Sequence, residues 1–188
     1  MTTTTTDPFV GRHIGLIAGT ARRATYDNGR HTITMTRHFQ TSIDDLWDAC
    51  TNPERLRGWI GELSGDRKLG GTVRLAMSPS DDDTATISIK ECHDPERLRL
   101  VWSLPKEADT EVRLTLRPVS STETLLTLEH AGLEHGGAID YGVGWEDFLI
   151  RLDTVIDGDE AESVQWDDVK EAATPVWTAV VENRAGTR

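Results

Sequence analysis

Short runs in which apolar and polar residues alternate follow one another along most of the chain. This alternation predicts strands, because successive side chains of a strand point to opposite faces of the sheet. The predicted strands cover 20–26, 30–39, 72–77, 84–92, 97–104, 111–119 and 123–130. Asn28-Gly29 between the first two runs indicates a tight hairpin. Each run is apolar on one side only, so the pattern predicts an antiparallel sheet of six or seven strands with one solvated face.

Apolar residues at helical spacing interrupt the strands. A helix is predicted from Ser42 to Cys50, since the Ser42 hydroxyl can accept a hydrogen bond from a free amide of the first turn. A second short helix is predicted from Pro53 to Ile60, because proline fits the first helical position. A long helix is predicted over 138–157, and Thr174-Pro175 indicates the start of a short amphipathic helix near the end of the chain.

Composition and charge narrow the class of protein. The 188 residues suit one domain with tails, and a net charge of -12 argues against nucleic acid as a partner, because an acidic surface repels phosphate. No apolar run approaches the about 20 residues that cross a bilayer, so we expect no membrane insertion. Cys50 and Cys92 are the only cysteines, which gives no disulfide framework and favours a cytoplasmic location.

The sequence divides into three parts. Residues 1–18 begin with a threonine-rich run and are predicted to be a flexible tail. Residues 19–158 carry the predicted strands and long helix and form the folded domain. Residues 159–188 are an amphipathic extension. Its apolar side either covers the same domain or docks on a protein partner or a second copy of the chain.

Four segments, in this order, resemble one known family. They are Arg37-His38-Phe39 with the run from Leu46 to Trp59, then Gly70-Gly71-Thr72-Val73-Arg74, the run from Glu91 to Trp102, and the run from Thr127 to Leu133 followed by Gly144-Trp145. They are similar to segments of the START-like (SRPBCC) superfamily and, within it, of the family homologous to the activator of the heat-shock protein 90 ATPase. The resemblance implies an α+β helix-grip fold. In that fold a curved antiparallel sheet wraps around a long C-terminal helix over a hydrophobic cavity, with two short helices after the first long strand.

On such a fold, the inward side chains of the sheet and helices would line a ligand site. The candidate ligand-binding residues are Arg37, Trp47, Trp59, Met77, Ile89, Glu91, Trp102, His130, Trp145 and Phe148. The apolar members offer contact area, and Arg37, Glu91 and His130 would orient a polar group of the ligand, since a charge on an apolar face is costly unless it is paired. The alternative interpretation is that the apolar residues fill the core and that the polar ones are structural.

The sequence offers little for covalent chemistry or for an ion. There is no Gly-x-Ser-x-Gly elbow and no phosphate-binding loop. Cys92 and His93 are neighbours on a strand and point to opposite faces, so they cannot easily share a metal ion. The acidic run at 81–83 is interpreted as a solvated hairpin tip. We therefore expect no catalytic residue, no metal and no cofactor.

Three functional hypotheses follow. The first is non-catalytic binding of a small hydrophobic or aromatic ligand between the sheet and the long helix. The second is a cyclase or dehydratase type of enzyme acting on a polyketide-like substrate, in which Glu91 and His130 would move protons. The third, which the family resemblance implies, is a co-chaperone-like module that binds another protein.

Overall fold

The computed structural model describes residues 19–158 and 164–183, so the tail predicted at 1–18 and parts of the predicted extension lie outside the described residues. One antiparallel sheet contains the eight strands of the described chain. These are β1 (Ala21–Asp27), β2 (Arg30–Phe39), β3 (Glu62–Gly65), β4 (Thr72–Ala76), β5 (Thr84–His93), β6 (Arg97–Ser103), β7 (Thr110–Pro118) and β8 (Thr124–Leu133). Their order across the sheet is β1-β2-β8-β7-β6-β5-β4-β3. The last strand therefore pairs with the second, which closes the topology around one concave face.

Four α-helices accompany the sheet in the described chain: α1 (Ile43–Thr51), α2 (Pro53–Leu56), α3 (His135–Ile156) and α4 (Trp166–Glu182). The Ser42 hydroxyl accepts a hydrogen bond from the Asp45 amide at 3.3 Å, and the Asn52 side chain accepts one from the Glu54 amide at 3.1 Å. Both caps satisfy amides that the first helical turn leaves free. None of the helices in the described ranges combines the length and the apolar character that a bilayer span requires.

The predicted helix-grip architecture is confirmed. Long helix α3 lies on the concave face of the sheet, where Leu149, Ile150 and Leu152 are fully buried. Inward residues of the central strands, among them Met35 and Leu126, complete the core beneath α3. Helices α1 and α2 follow β2, as expected, and close one end of the same face.

The Asn28-Gly29 hairpin is also confirmed. Both residues have positive φ, 49° and 82°, and Asp27 pairs with Arg30 on either side of the turn. Asparagine and glycine tolerate this left-handed conformation better than other residues, which is why the dipeptide was informative.

Three elements differ most from the prediction. β3 was not predicted, because its four residues contain a single apolar side chain, Leu63, and give no alternation to detect. α2 ends at Leu56 and continues as turns to Ile60. α4 begins at Trp166, and Pro175 lies inside it rather than at its start. The proline is tolerated because it faces solvent while a stripe on the opposite side packs on the domain; the buried members of that stripe are Val169, Ala173, Trp177 and Val181.

Helix α4 covers its own domain by packing on α3 and β1. The Trp177 ring lies against the backbone of Gly142, where a Cβ atom would come within 2.3 Å of the indole. The indole nitrogen of Trp177 also donates a hydrogen bond to Glu146 Oε1 at 3.1 Å. The described part of the extension thus covers its own domain, which is one of the two alternatives that the sequence leaves open.

A bulge in β5 changes which residues face the helices. The pairing with β6 shifts between Ile89 and Glu91, so that Ile89 lies opposite Leu100 while Cys92 lies opposite Leu98. Lys90 is the additional residue, and beyond it the inward positions move by one. Regular alternation along 84–92 predicts Glu91 on the same face as Ile87 and Ile89. That prediction is wrong, because the bulge turns Glu91 outward and gives Cys92 the inward position.

Candidate ligand-binding cavity

A cavity of about 320 Å³ lies between the sheet, α1, α2 and α3. Its lining consists of Trp47, Cys50, Thr51, Leu56, Trp59, Ile60, Leu63, Arg67, Val73, Leu75, Ile87, Ile89, Cys92, Leu98, Leu100, Val112, Leu114, Leu126, Leu128, Trp145 and Leu149. The lining is predominantly aliphatic and aromatic, and the volume falls at the lower end of small-molecule sites, which span about 300–1,000 Å³. We call this space the main cavity.

The main cavity exists because the inward side chains of the central strands do not meet the helices. Leu98, Leu100 and Leu114 lie on the concave face of the sheet but are only half-buried. In a filled core such residues would be excluded from solvent and packed at crystal-like density. Their remaining accessible surface faces the main cavity, so an apolar ligand could cover it.

Two tryptophans in the wall are held by hydrogen bonds. The indole nitrogen of Trp59 donates to the Ala49 carbonyl at 2.9 Å, which ties the turn after α2 to α1. The indole nitrogen of Trp145 donates to His130 Nδ1 at 3.1 Å. The Phe148 ring stands edge-on to both indoles, with centroid distances of 6.5 Å to Trp59 and 5.8 Å to Trp145. These contacts give the cavity a wall of fixed shape.

Polar groups in the lining are few. Arg67 is the single charged residue among the described residues that line the main cavity, and it also borders a polar depression formed with Asp48, Thr51 and Glu54. In the described part of the chain Arg67 makes no ion pair within 4.0 Å. Its guanidinium is therefore available at the mouth of an apolar space.

Both thiols in the lining are held in the protonated form. Burial raises the pKa of Cys50 to about 12. Burial and the charge of Asp94 raise the pKa of Cys92 as well. Because the thiolate is the nucleophile, neither cysteine is activated for covalent chemistry near neutral pH.

His130 lies behind the main cavity rather than in its lining. Its ring is fully buried, with Nε2 at 2.8 Å from Thr110 Oγ1 and Nδ1 accepting from Trp145. The Thr110 hydroxyl donates to the Trp102 carbonyl at 3.2 Å. Since Nδ1 accepts, Nε2 carries the proton and donates to Thr110. Burial lowers the pKa of His130 to about 3, so the imidazole is neutral and serves to position Trp145.

Arg37 belongs to a buried charge network under α3. Its side chain is 4% exposed and lies 3.4 Å from Asp153, measured from Nη2 to Oδ2. Buried Glu146 is nearby; it accepts hydrogen bonds from Arg22 and Trp177. Burial lowers the pKa of Arg37 and raises that of Glu146, while the opposite charges act against both shifts. The network connects β1, β2, α3 and α4 and does not reach the main cavity.

Glu91 lies outside the main cavity, as its position after the bulge requires. Its carboxylate is 3.2 Å from His93 Nε2 and 3.5 Å from Arg99 Nε, and Arg97 stands at 3.8 Å. The side chain is 31% exposed. Glu91 is thus part of a surface ion-pair cluster, with no access to a ligand under α3.

The structure separates the ten predicted site residues into groups. Trp47, Trp59, Ile89 and Trp145 line the main cavity. Met77, Trp102 and Phe148, again with Trp145, line a second and smaller cavity described below. His130 supports Trp145, whereas Arg37 and Glu91 lie elsewhere. Trp145 is therefore the residue that the two cavities share.

Sequence reasoning missed Arg67 and Cys92. Arg67 precedes Gly70-Gly71 in a loop with no periodic signal, so nothing in the pattern assigned it a side. Strand alternation extended through the bulge predicts that Cys92 faces outward, whereas the shifted register places it inward. Alternation within the last strand does not decide which face Leu126 and Leu128 occupy. Their pairing with Arg37 and Met35 places them inward. No group of three His, Cys, Asp or Glu side chains in the described ranges is arranged to hold a metal ion.

Comparison with known proteins agrees with this architecture. The family model described as Activator of Hsp90 ATPase homolog 1-like protein matches residues 40–157, which is more than half of the chain. β1, β2 and α4 lie outside the matched range. No curated protein matches significantly.

Several solved structures share the fold. The crystal structure of CalU16 from Micromonospora echinospora is 29% identical, with a TM-score of 0.72, covering 86% of this chain and 98% of CalU16. DynU16, whose description places it in the dynemicin biosynthetic locus, is 25% identical with a TM-score of 0.62, covering 69% of this chain and 49% of DynU16. PFC0360w, an HSP90 activator from Plasmodium falciparum, is 18% identical with a TM-score of 0.58, covering 68% of this chain and 96% of that protein.

The family match spans the short helices, the sheet from β3 onward and α3, which together build the main cavity. The chain therefore belongs to the Activator of Hsp90 ATPase homolog 1-like family of the START-like superfamily.

Proposed function

We propose that the protein binds a small hydrophobic or aromatic molecule in the main cavity and does not transform it. The observation that carries this proposal is the half-burial of Leu98, Leu100 and Leu114 on the concave face of the sheet. A ligand that covers this surface removes apolar area from water, which contributes roughly 25 cal/mol per Å². The preformed walls keep the cost of ordering the site low.

The polar end of the ligand would lie at the mouth, beside Arg67 and Thr51. A guanidinium without an ion pair favours an anionic or strongly accepting group, such as a carboxylate, while the apolar body occupies the interior. Orientation thus comes from Arg67, in place of the predicted Arg37 and Glu91.

Support for binding without catalysis comes from the chemistry of the lining. Acid and base catalysis needs a titratable group within hydrogen-bonding reach of the substrate. The described residues that line the main cavity include no carboxylate and no imidazole. DynU16, from a biosynthetic locus, supports a small molecule over a protein as the ligand. The sequence identity to the HSP90 activator is 18%, which supports a common fold and does not extend to a common partner.

The proposal is tested by filling the cavity. Leu114→Trp places an indole in the main cavity, and Thr115→Trp places the same indole on the opposite face of β7 as a matched control. The probe is 2-naphthoic acid, titrated into each protein by calorimetry. We expect saturable binding to the wild type and to Thr115→Trp, and at least a tenfold weaker affinity for Leu114→Trp.

A second pair of probes isolates the mouth. Arg67→Gln is expected to lower the affinity for 2-naphthoic acid by about three- to tenfold. The affinity for 2-naphthamide, the neutral counterpart of this acid, should change by less than about twofold. Equal affinity of Leu114→Trp and the wild type for both probes, with circular dichroism showing intact folds, would place binding outside the main cavity and refute the proposal.

A further inference from the structure

A second cavity of about 230 Å³ lies beyond Trp145, between the end of β4, β6 and α3. Its lining consists of Met77, Trp102, Leu104, Glu107, Asp140, Tyr141, Gly144, Trp145 and Phe148. Four of these nine residues are aromatic. The Trp102 and Trp145 rings have centroids 5.7 Å apart, and the Phe148 centroid is 5.8 Å from that of Trp145. The cavity is thus bounded by aromatic rings set at angles to one another.

The two charged residues in the lining of this second cavity are both acidic. Glu107 and Asp140 are exposed at its edge, and no positively charged side chain of the described residues lines it. Lys106, next to Glu107 in the chain, is paired with Asp82 at 3.0 Å. In the described residues Asp140 makes no ion pair within 4.0 Å. Two carboxylates therefore border the aromatic space. The cations nearby, Arg30 and Lys106, border an adjoining depression and are paired with Glu134 and Asp82.

Tyr141 fixes the arrangement. Its hydroxyl donates a hydrogen bond to Glu107 Oε2 at 2.9 Å, which holds the carboxylate beside the cavity. Burial and the nearby Glu107 charge raise the pKa of Tyr141 above its usual range, so the phenol remains a neutral donor. The hydrogen bond thus holds the Glu107 carboxylate next to the aromatic rings.

We propose that the second cavity is a binding site for an alkylammonium group, with methylated ammonium such as that of choline as the preferred class. Aromatic faces attract a cation within about 6 Å of the ring centre, and tryptophan attracts it most strongly. The methyl groups of a quaternary ammonium suit the apolar lining because they need no hydrogen bond, and the two carboxylates supply long-range attraction. The acidic surface of the molecule, with a net charge of -12, steers cations in the same direction.

Apart from Trp145, the two cavities have separate linings, and a methionine side chain provides a reporter for the second cavity. The chain has three methionines: Met77 lines the second cavity, Met35 is fully buried in the core, and Met1 lies outside the described residues. In the protein labelled with [13C]methyl methionine, choline chloride is expected to shift the Met77 signal in a saturable manner and to leave the Met35 signal in place.

The matched ligand is 3,3-dimethyl-1-butanol, which has the shape of choline without its charge. We expect it to bind at least tenfold more weakly. Glu107→Gln and Asp140→Asn should each lower the affinity for choline by about two- to fivefold, because each variant removes one attracting charge. Glu182→Gln, an equal change of charge at the end of α4, should not. The Leu114→Trp variant, with its main cavity filled, should keep the choline response.

Three results would overturn the inference. If the neutral alcohol binds as tightly as choline, the second cavity is an apolar subsite with no preference for cations. If choline leaves the Met77 signal unmoved up to molar concentration, the cavity does not admit an ammonium group. Loss of choline binding in Leu114→Trp alone would assign the response to the main cavity.

Discussion

Two arginines with the same side chain lie in opposite surroundings. Arg37 is buried under α3 and paired with Asp153, while Arg67 stands at the mouth of the main cavity without an ion pair in the described chain. A buried cation that loses its partner, or a partner that loses its cation, is costly because a charge is left without compensation in a poorly polar interior. An exposed side chain without such partners contributes little to the fold.

The first prediction compares these residues. Arg37→Gln should lower the free energy of unfolding by about 3 kcal/mol, since Asp153 and Glu146 lose a neighbouring positive charge. Arg67→Gln should change it by less than about 0.5 kcal/mol. Urea unfolding followed by tryptophan fluorescence measures both. A stable Arg37→Gln variant with weakened naphthoate binding would restore Arg37 as a ligand residue.

The second prediction concerns His130 and pH. Its pKa is about 3 in the folded protein, below the value near 6.5 of an exposed imidazole, because burial disfavours the charged form. Between these values the unfolded chain binds the proton and the folded one does not. The contribution of His130 to stability is therefore present above about pH 6.5 and is lost as pH falls towards 3, by up to about 1.4 kcal/mol per pH unit.

The His130→Gln variant tests this directly, because glutamine keeps a donor and an acceptor but does not titrate. The difference in unfolding free energy between wild type and variant should change with pH from 6.5 to 5. His93→Gln, which makes the same change at an exposed position, is the matched control for the loss of an imidazole. Parallel pH profiles for wild type and His130→Gln would contradict a neutral, buried His130.

At the level of single residues, the sequence predicted apolar positions better than polar ones. Trp47, Trp59, Ile89 and Trp145 reach the main cavity because the periodicity of their elements fixes their side. Glu91 does not, since an inserted residue in β5 reverses the alternation and leaves no mark in composition. Arg67 sits in a loop, where side-chain direction depends on tertiary structure.

At the level of elements, α4 is the part that the sequence placed least well. Pro175 lies in the middle of the helix, but its sequence context predicts a helix start, because proline costs about 3 kcal/mol inside a helix. The buried stripe of α4 offsets that cost through its packing on α3 and β1. The strands and α3 were predictable because their apolar sides repeat at regular spacing, whereas β3 is too short to show a repeat.

The third prediction tests the close approach of α4 to α3. Gly142→Ala should destabilise the protein by about 1–3 kcal/mol, since the added Cβ lies 2.3 Å from the Trp177 ring and one of the two must move. Gly144→Ala is the matched control on the same helix. A Cβ there meets nothing within 4 Å, so alanine should be neutral or should stabilise the helix by up to about 1 kcal/mol.

Thermal unfolding of the two variants provides the measurement. Equal midpoints for Gly142→Ala and Gly144→Ala would mean that the packing of α4 contributes nothing to the stability of the domain. A lowered midpoint in Gly142→Ala, together with a red shift of the fluorescence, would indicate that Trp177 has been displaced from its buried place.

At the level of the whole molecule, the acidic excess opposes the compact state. A net charge of -12 on 188 residues produces self-repulsion that salt screens, because the Debye length shortens from about 10 Å at 0.1 M to about 3 Å at 1 M. The buried network around Glu146 is shielded from solvent and is much less sensitive to salt.

The fourth prediction follows from this charge. Raising sodium chloride from 50 to 500 mM at pH 7 should raise the unfolding midpoint by about 2–4 °C, the shift that corresponds to roughly 1 kcal/mol for a chain of this size. The effect should largely disappear near the isoelectric point of about 4.9. An equal rise at both pH values would indicate general salting-out in place of relieved repulsion.

The position of Trp145 has a consequence for how the two cavities communicate. One indole forms the partition between them, and a single hydrogen bond to His130 sets its tilt. A ligand that displaces the Trp145 indole from one side changes the volume of the cavity on the other side. By thermodynamic reciprocity, the two ligands must then raise or lower each other's affinity by the same factor.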